Sequence, residues 1–206
     1  MHEVYIAHGN YEYSNLFVNL GFHLCDEAGA ADLICFTGGA DVTPKLYGDV
    51  KHPGTFNDVW RDRQEKDLFD TAMEFNIPMV GICRGGQFLN VMSGGRMYQD
   101  VTGHTRSHHI VDKITGETVY VSSTHHQMIM PSNEAEIIAT SIGVNSKREW
   151  YDREVFELDA TDEGIEVVFY PKTRALCFQP HPEFRSAEYN GMFRYFKELL
   201  KRYHQL

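Results

Sequence analysis

Gly81-Ile82-Cys83-Arg84-Gly85-Gly86-Gln87 directly follows the apolar run Ile77-Pro78-Met79-Val80. A short buried strand, a glycine-flanked cysteine and a helix-like segment, Gln87 to Met92, predict a nucleophile elbow, a sharp turn that lifts the reactive atom above a sheet. The glycines supply backbone freedom and space that side chains would block. The start of the helix places N–H groups and the positive end of its dipole beside the sulfur, which favours a thiolate. We therefore predict that Cys83 is a nucleophile.

Short apolar runs alternate with helical patterns in the first half of the chain, which is typical of parallel βαβ units. We expect strands at Val4 to Ile6, Leu33 to Thr37 and Met79 to Ile82, and helices at Tyr13 to Leu20 and Val59 to Asn76. In the second helix, Asp58 is the expected N-cap, and Trp60, Leu68, Ala72 and Phe75 form the expected apolar stripe. After Gly94-Gly95 the pattern predicts mainly antiparallel strands and one C-terminal helix. These are Met97 to Gln99, His109 to Val111, Thr118 to Val121, Glu136 to Thr140, Val155 to Leu158, Ile165 to Tyr170, Ala175 to Phe178 and the helix Ser186 to Tyr203.

The composition is that of an ordinary globular protein. The 206 residues are 42% hydrophobic and 23% charged, so we expect one domain, residues 1–206, with a substantial core. A net charge of −10 without a basic patch argues against a nucleic-acid partner. No apolar stretch approaches the length of a membrane span, and no signal peptide is evident. The four scattered cysteines indicate a reducing, cytoplasmic setting.

A second motif, Gln179-Pro180-His181-Pro182-Glu183-Phe184, follows the predicted strand Ala175 to Phe178. His181 and Glu183 are two residues apart, so in an extended segment both side chains project to the same side. One imidazole nitrogen can then face Cys83 while the other donates to the carboxylate, which fixes the tautomer of the ring. The motif predicts a base and its orienting group for the cysteine.

Two further segments carry polar or flexible residues beside predicted strand ends. Phe36-Thr37-Gly38-Gly39-Ala40-Asp41-Val42 lies at the carboxyl end of the second strand, where open α/β sheets bind ligands. We expect the backbone N–H groups of Gly39 and Arg84 to form an oxyanion hole. The other segment, Ser122-Ser123-Thr124-His125-His126-Gln127, is a polar cluster after the strand Thr118 to Val121.

Taken together, the elbow, the loop Gly38 to Gly48, His-His-Gln at 125–127 and His-Pro-Glu at 181–183 resemble the class I glutamine amidotransferase superfamily. Within it, the chain is most similar to the γ-glutamyl hydrolase-like branch, peptidase family C26, which includes γ-glutamyl-GABA hydrolases. The similarity covers about Leu33 to Phe184. It implies a three-layer α/β sandwich, with a mostly parallel central sheet flanked by helices and a small antiparallel edge sheet. One departure is Thr37, because family members usually have proline before the two glycines.

The resemblance implies cleavage of a γ-glutamyl amide bond through a thioester. Cys83 would attack the γ-carbonyl carbon, His181 would move the proton and Glu183 would orient His181. Gln87 and His125 match positions that line the pocket for the glutamyl group. The family needs no metal or organic cofactor, so we expect none. The expected partner is a small γ-glutamyl substrate.

Several of these residues have simpler structural interpretations. Cys35 and Cys177 lie in apolar strands and are expected to be core residues, and Cys25 has no expected role. His126 is expected to be structural or to support the site residues, rather than to be catalytic. Arg61 and Asp62 either form a solvated helix start or contact the elbow. We expect the aromatic residues to pack rather than bind substrate: Tyr11, Tyr13, Tyr47 and Trp60. A metal site is the alternative interpretation of the clustered histidines His104, His108, His109, His125 and His126. Their irregular spacing and the lack of a framing cysteine or carboxylate motif argue against it.

The sequence is compatible with three functions. The first is a free-standing hydrolase of a γ-glutamyl compound. The second is a glutaminase subunit that supplies ammonia to a separate synthetase or amidoligase, because the chain carries no P-loop or other ATP-binding signature. The third is a non-catalytic binding protein on the same scaffold, which the presence of Cys83, His181 and Glu183 disfavours.

Overall fold

The computed structural model describes residues 2–144, 149–151, 154–156 and 164–206. In this part of the chain the helices are α1 (Tyr11–Leu20), α2 (Val59–Glu74), α3 (Arg84–Met92) and α4 (Asn190–His204). The first strands are β1 (Glu3–Ala7), β2 (His23–Leu24), β3 (Leu33–Phe36), β4 (Met79–Ile82), β5 (Arg96–Tyr98), β6 (His108–Asp112) and β7 (Thr118–Val121). The remaining strands are β8 (Met128–Met130), β9 (Glu136–Ile142), β10 (Glu149–Tyr151), β11 (Glu154–Phe156), β12 (Ile165–Tyr170) and β13 (Ala175–Phe178).

A nine-stranded central sheet has the order β2-β1-β3-β4-β13-β12-β9-β6-β7. The strands from β2 to β13 pair in parallel, and those from β12 to β7 continue the sheet in antiparallel fashion. Two small antiparallel ribbons accompany it, β5 with β8 and β10 with β11. In the centre, Phe178 of β13 pairs with Ile82 of β4. The segments that follow these two strands, from Cys83 and from Gln179, therefore leave the sheet side by side.

The sheet separates two hydrophobic cores because side chains alternate along its buried central strands. In β4, Val80 and Ile82 belong to the core under α1 and α4, whereas Met79 belongs to the core under α2 and α3. The helices supply apolar side chains to each core, Phe17 and Phe196 on one face and Phe69 and Phe88 on the other. This gives the predicted three-layer α/β arrangement.

Most predicted elements are confirmed, with small differences at their ends. Asp58 caps α2 by accepting hydrogen bonds from the N–H groups of Trp60 and Arg61. The predicted apolar stripe of α2 is wrong in part, because Trp60 is 75% exposed and Phe75 is 58% exposed. The buried face instead carries Phe69 and Ala72 together with two carboxylates, Asp62 and Glu65.

The sequence pattern does not predict three short strands, β2, β8 and β10. The predicted strand Val155 to Leu158 overlaps β11, and its last two positions lie outside the described residues. The C-terminal helix begins at Asn190 rather than Ser186, after a single 3-10 turn, Ala187–Tyr189.

Among the described residues, none of the helices combines the length and the apolar character that a membrane span needs.

Candidate active site

Cys83 stands in the sharp turn between β4 and α3. Its backbone has φ 51° and ψ −114°, an unusual conformation for a residue other than glycine, and its N–H donates to the carbonyl of Phe178 at 2.8 Å. The turn is tight enough to require glycine on both sides. A Cβ atom at Gly81 would lie 2.3 Å from the carbonyl of Gly85, and one at Gly85 would lie 2.0 Å from the carbonyl oxygen of Phe36. The structure thus has the geometry of the predicted elbow.

His181 and Glu183 lie beside this turn. Nδ1 of His181 is 2.7 Å from Oε1 of Glu183, and both side chains are buried. The ring stacks on Phe184 with centroids 4.7 Å apart, and Ser122 bonds both the N–H and the carbonyl of His181. The ring is therefore held by its neighbours on several sides.

The protonated form of His181 is strongly stabilised. Burial lowers the pKa of His181, but hydrogen bonding to Cys83 and Glu183 and the negative charge of both groups outweigh burial and raise the pKa to about 10. Near neutral pH the arrangement is therefore an imidazolium ring between a sulfur atom and a carboxylate.

Thr124 is a neighbour of His181 that the sequence motifs do not predict. Its Oγ1 lies 2.9 Å from Nε2 of His181, the ring nitrogen opposite the one that faces Glu183. Thr124 belongs to the segment Ser122 to Gln127, whose sequence indicates only a polar cluster. The contact joins positions 57 residues apart in sequence, so local spacing carries no signal for it.

A cavity of about 300 Å³ opens over Cys83. Gly39, Arg84 and His181 lie in its wall, as do the predicted substrate-binding residues. The complete lining is Gly39, Ala40, Asp41, Phe56, Cys83, Arg84, Gln87, Thr124, His125, His126, Gln127 and His181. Cys83, His181 and both predicted oxyanion residues therefore line the same cavity. Arg84 is the first residue of α3, where a backbone N–H has no partner within the helix.

The Gly38-Gly39 loop is braced by Arg61, a partly buried residue of α2 that is itself paired with the buried Glu65. Arg61 donates to the carbonyls of Thr37 and Gly38 at 2.8 and 2.9 Å, and to Glu65 at 2.8 Å. Gly39 has φ +150°, and a Cβ there would lie 2.0 Å from Nη1 of Arg61. Of the two interpretations left open for Arg61 and Asp62, the solvated helix start is wrong: Arg61 contacts the Gly38-Gly39 loop, and Asp62 contacts the elbow through Arg84.

The side chain of Arg84 completes this network. It is buried, forms ion pairs with Asp62 and Glu65, and donates to the carbonyl of Ala40 at 3.1 Å. Burial and the neighbouring Arg61 lower the pKa of Arg84 to about 10, so the guanidinium stays charged at neutral pH. Asp62 also accepts from the N–H of Thr43 at 3.0 Å. The network fixes the elbow and the glycine loop relative to each other.

Tyr13 packs in the core and also contacts the Gly38-Gly39 loop. Its hydroxyl accepts from the N–H of Gly38 at 3.0 Å, and burial and the charge of Glu183 raise its pKa. Tyr47 is buried, as expected of a packing residue. Tyr11 and Trp60 are 78% and 75% exposed, so the expectation that they pack is wrong for these two.

Gln87 and His125 are held by the same polar layer under the cavity. The amide nitrogen of Gln87 donates to the carbonyl of Gln127 at 3.2 Å and to Oε1 of Gln179 at 3.1 Å. Nδ1 of His125 is 2.9 Å from the carbonyl oxygen of Gln127. His126 is half-buried, lines the cavity and pairs with Asp41 at 3.2 Å, a contact that raises the pKa of His126. It thus contributes to the cavity wall as well as to structure.

The other cysteines differ from Cys83 in their surroundings. Cys35 and Cys177 are fully buried in β3 and β13, and burial raises the pKa of both thiols. They are core residues, as expected. Cys25 is partly exposed and neighbours the carbonyl of Glu27.

Comparison with known proteins identifies relatives of this arrangement. The family model for peptidase C26 matches residues 24–183. A protein of Lactococcus lactis subsp. lactis, named YvdE and described as glutamine amidotransferase-like, is 34% identical over 74% of this chain and 66% of its own length. The carbamoyl phosphate synthase small chain of Helicobacter pylori is 30% identical over 68% of this chain and 34% of its own length. This chain thus spans about two thirds of the first relative and one third of the second.

Solved structures show the same fold at low sequence identity. A chain in the structure of PurLQS from Thermotoga maritima has a TM-score of 0.66 and is 16% identical, covering 97% of this chain and 98% of that chain. The likeness extends over the parallel and antiparallel parts of the sheet together.

Proposed function

Because this chain belongs to the peptidase C26 family of the class I glutamine amidotransferase superfamily, we propose that it hydrolyses a γ-glutamyl amide bond with Cys83 as nucleophile. The observation that carries the proposal is the convergence of Cys83, in its strained turn, with a His181 ring held by Glu183 over one cavity. A nucleophile, a base and a group that orients the base are the parts that covalent catalysis requires.

In the proposed reaction, the Cys83 sulfur attacks the γ-carbonyl carbon and forms a tetrahedral intermediate. The negative oxygen of this intermediate is stabilised by the backbone N–H groups of Gly39 and Arg84. His181 gives its proton to the departing amine, and the carbon–nitrogen bond breaks to leave a thioester. Water, deprotonated by His181, then attacks the thioester and releases the γ-carboxylate and the thiol. Glu183 keeps the ring in the required orientation throughout.

The proposed binding site for the glutamyl group is the end of the cavity formed by Gln87 and His125. Polar groups there are fixed by Gln127 and Gln179, so they are oriented before any substrate arrives. The amine would then point toward the open side, near Phe56, which is 73% exposed. This placement leaves the chemistry of the amine unconstrained by the enclosed part of the cavity.

A panel of γ-glutamyl compounds tests the proposal. We expect wild-type protein to release amine or ammonia from at least one γ-glutamyl donor, and Cys83→Ala to release none. Cys35→Ala is the matched control, because it removes a buried thiol away from the cavity and should leave turnover in place. Absence of turnover on every donor, with Cys83 unreactive to thiol reagents, would refute the proposal.

The second candidate is a glutaminase subunit that supplies ammonia to a separate synthetase or amidoligase. The relation to a carbamoyl phosphate synthase small chain supports it, as does the exposure of Tyr11, Phe56 and Trp60. Tyr11 and Phe56 each line an opening beside Gly39. Under this proposal, glutaminase activity is negligible in the isolated protein and rises when the partner is added. Full activity of the isolated protein on a γ-glutamyl compound other than glutamine would favour the hydrolase instead.

A further inference from the structure

A buried carboxylate surrounded by histidines lies behind the cavity wall. Glu166 of β12 is fully buried, and three imidazole nitrogens reach its two oxygens. Nδ1 of His104 and Nε2 of His108 are 2.9 and 3.0 Å from Oε1, and Nε2 of His125 is 3.3 Å from Oε2. Glu166 lies far in sequence from these histidines and was not part of the predicted site. It is the carboxylate whose absence from the motif argued against a metal.

The hydrogen bonds of His108 leave one position that must be filled. Its Nδ1 is 2.9 Å from the carbonyl oxygen of Arg106, which only accepts, so Nδ1 carries a proton. In a neutral ring the lone pair of Nε2 would then face the carboxylate oxygen of Glu166 at 3.0 Å. Two lone pairs at that separation repel each other, so a positive charge must lie between them. Either a second proton or a metal ion can supply it.

His104 places a third potential metal ligand beside Nε2 of His108 and Oε1 of Glu166. Nδ1 of His104 and Nε2 of His108 both approach Oε1 of Glu166. These three atoms all lie within 4.8 Å of one another. In histidine metal ligands, the nitrogen away from the metal typically donates to a backbone carbonyl, as Nδ1 of His108 does. Two imidazoles and one carboxylate form the donor set that zinc and neighbouring transition metals prefer, whereas calcium and magnesium prefer oxygen ligands.

We propose that His104, His108 and Glu166 form a binding site for a divalent transition metal ion, with Zn²⁺ the preferred occupant. Ligands of tetrahedral zinc at bond lengths of about 2.0–2.1 Å lie about 3.3 Å apart. The two nitrogen–oxygen contacts, at 2.9 and 3.0 Å, therefore need to lengthen by only a few tenths of an ångström. The ion takes the place of the proton on Nε2 of His108. It joins β6 and the preceding loop to β12.

The site also connects to the cavity. Oε2 of Glu166 stays bonded to His125, which lines the cavity wall. The bound ion therefore holds a carboxylate that in turn orients a residue of the proposed substrate pocket. Since His104, His108 and Glu166 are themselves buried, the role of the ion is to fix structure rather than to activate water.

Metal binding is measured on the full chain carrying Cys83→Ala, so that the active-site thiol offers no competing ligand. The chain is stripped with chelator and titrated with Zn²⁺ by calorimetry, and with Co²⁺ by visible spectroscopy. We expect one Zn²⁺ per chain and a cobalt spectrum of a nitrogen and oxygen site without a thiolate charge-transfer band. In this background His108→Gln should weaken Zn²⁺ binding by at least about 100-fold. His109→Gln, at the exposed neighbouring position of β6, should leave it unchanged.

Two results would overturn the proposal. One is the absence of stoichiometric Zn²⁺ binding by the Cys83→Ala chain, which would mean that a proton alone fills the position beside Glu166. The other is binding that persists undiminished in both His108→Gln and Glu166→Gln. Anomalous diffraction at the zinc edge needs no ligand variant to fold: a peak among His104, His108 and Glu166 supports the site, and a peak elsewhere refutes it. None of these measurements depends on whether the chain is a γ-glutamyl hydrolase.

Discussion

Glu65 is the shared anion of the network beneath the elbow, and its replacement by glutamine should be severely destabilising. The side chain has no exposure to solvent, accepts from Nε of Arg61 at 2.8 Å and pairs with Arg84. Glu65→Gln keeps the shape but removes the charge, which leaves the buried guanidinium of Arg84 with Asp62 as its remaining ion-pair partner and takes the carboxylate away from Arg61. Breaking one side of a buried ion pair costs about 3–5 kcal/mol. For a chain of this length, each kcal/mol taken from the free energy of unfolding lowers Tm by about 2–4 °C, so we expect the Tm of Glu65→Gln to fall by roughly 6–20 °C.

Asp70→Asn is a matched control on the same helix. Lys66 and Asp70 form an i,i+4 pair like that of Arg61 and Glu65, but their side chains are 49% and 55% exposed. Such a pair contributes about 0.3–0.5 kcal/mol, so Asp70→Asn should be close to wild type. The assay is urea unfolding of both variants, followed by far-UV circular dichroism. If Glu65→Gln unfolds within 1 kcal/mol of wild type, the network does not hold the elbow as argued.

Three further predictions concern burial, the histidine ring and the elbow. Burial lowers the pKa of His204 to about 4, so the folded state binds this proton less readily than the unfolded state. Above pH 6.5 His204 is neutral in both states and does not reduce stability. Between pH 6.5 and pH 4 the unfolded state takes up the proton first, and the free energy of unfolding falls by about 3 kcal/mol. Unfolding titrations of His204→Gln should show a correspondingly flatter pH dependence. Thr124→Val removes the hydroxyl 2.9 Å from Nε2 of His181 and should lower kcat/KM for amine release by about tenfold. Gly85→Ala should abolish stable folding, whereas Gly191→Ala, whose Cβ would have no neighbour closer than 3.9 Å, should be neutral or stabilising in thermal unfolding.

Each of these three predictions has a result that contradicts it. A His204→Gln variant with the acid sensitivity of wild type would show that other groups cause the loss of stability. Unchanged kcat/KM in Thr124→Val would mean that Thr124 does not help to position the ring. A stable Gly85→Ala protein would mean that the turn can open without cost.

The parallel half of the fold and the elbow could be predicted from sequence because their signals are local. Apolar strand runs, glycines around Cys83 and the N-cap Asp58 each act over a few residues. Helix α2 shows where local patterns fail. An apolar stripe predicted burial of Trp60 and Phe75, but the face that packs against the elbow carries Asp62 and Glu65 because the buried Arg84 requires them.

The remainder of the candidate site depends on contacts between distant segments. Thr124 reaches His181, and Glu166 reaches three histidines, across separations of more than 40 residues. No local spacing relates such positions. For Glu166 a weak signal existed, since a charged residue in the apolar run Ile165 to Tyr170 is uncommon in a buried strand unless it is paired.

Covalent trapping of Cys83 tests the central claim most directly. The protein is incubated with a glutamine-mimicking alkylating agent, and the site of modification is mapped by mass spectrometry. We predict one adduct per chain, on Cys83, slowed by excess γ-glutamyl substrate and strongly reduced in His181→Ala. Modification of Cys25 alone, or of Cys83 at a rate that neither substrate nor His181→Ala affects, would contradict the claim that Cys83 and His181 act together on a γ-glutamyl group.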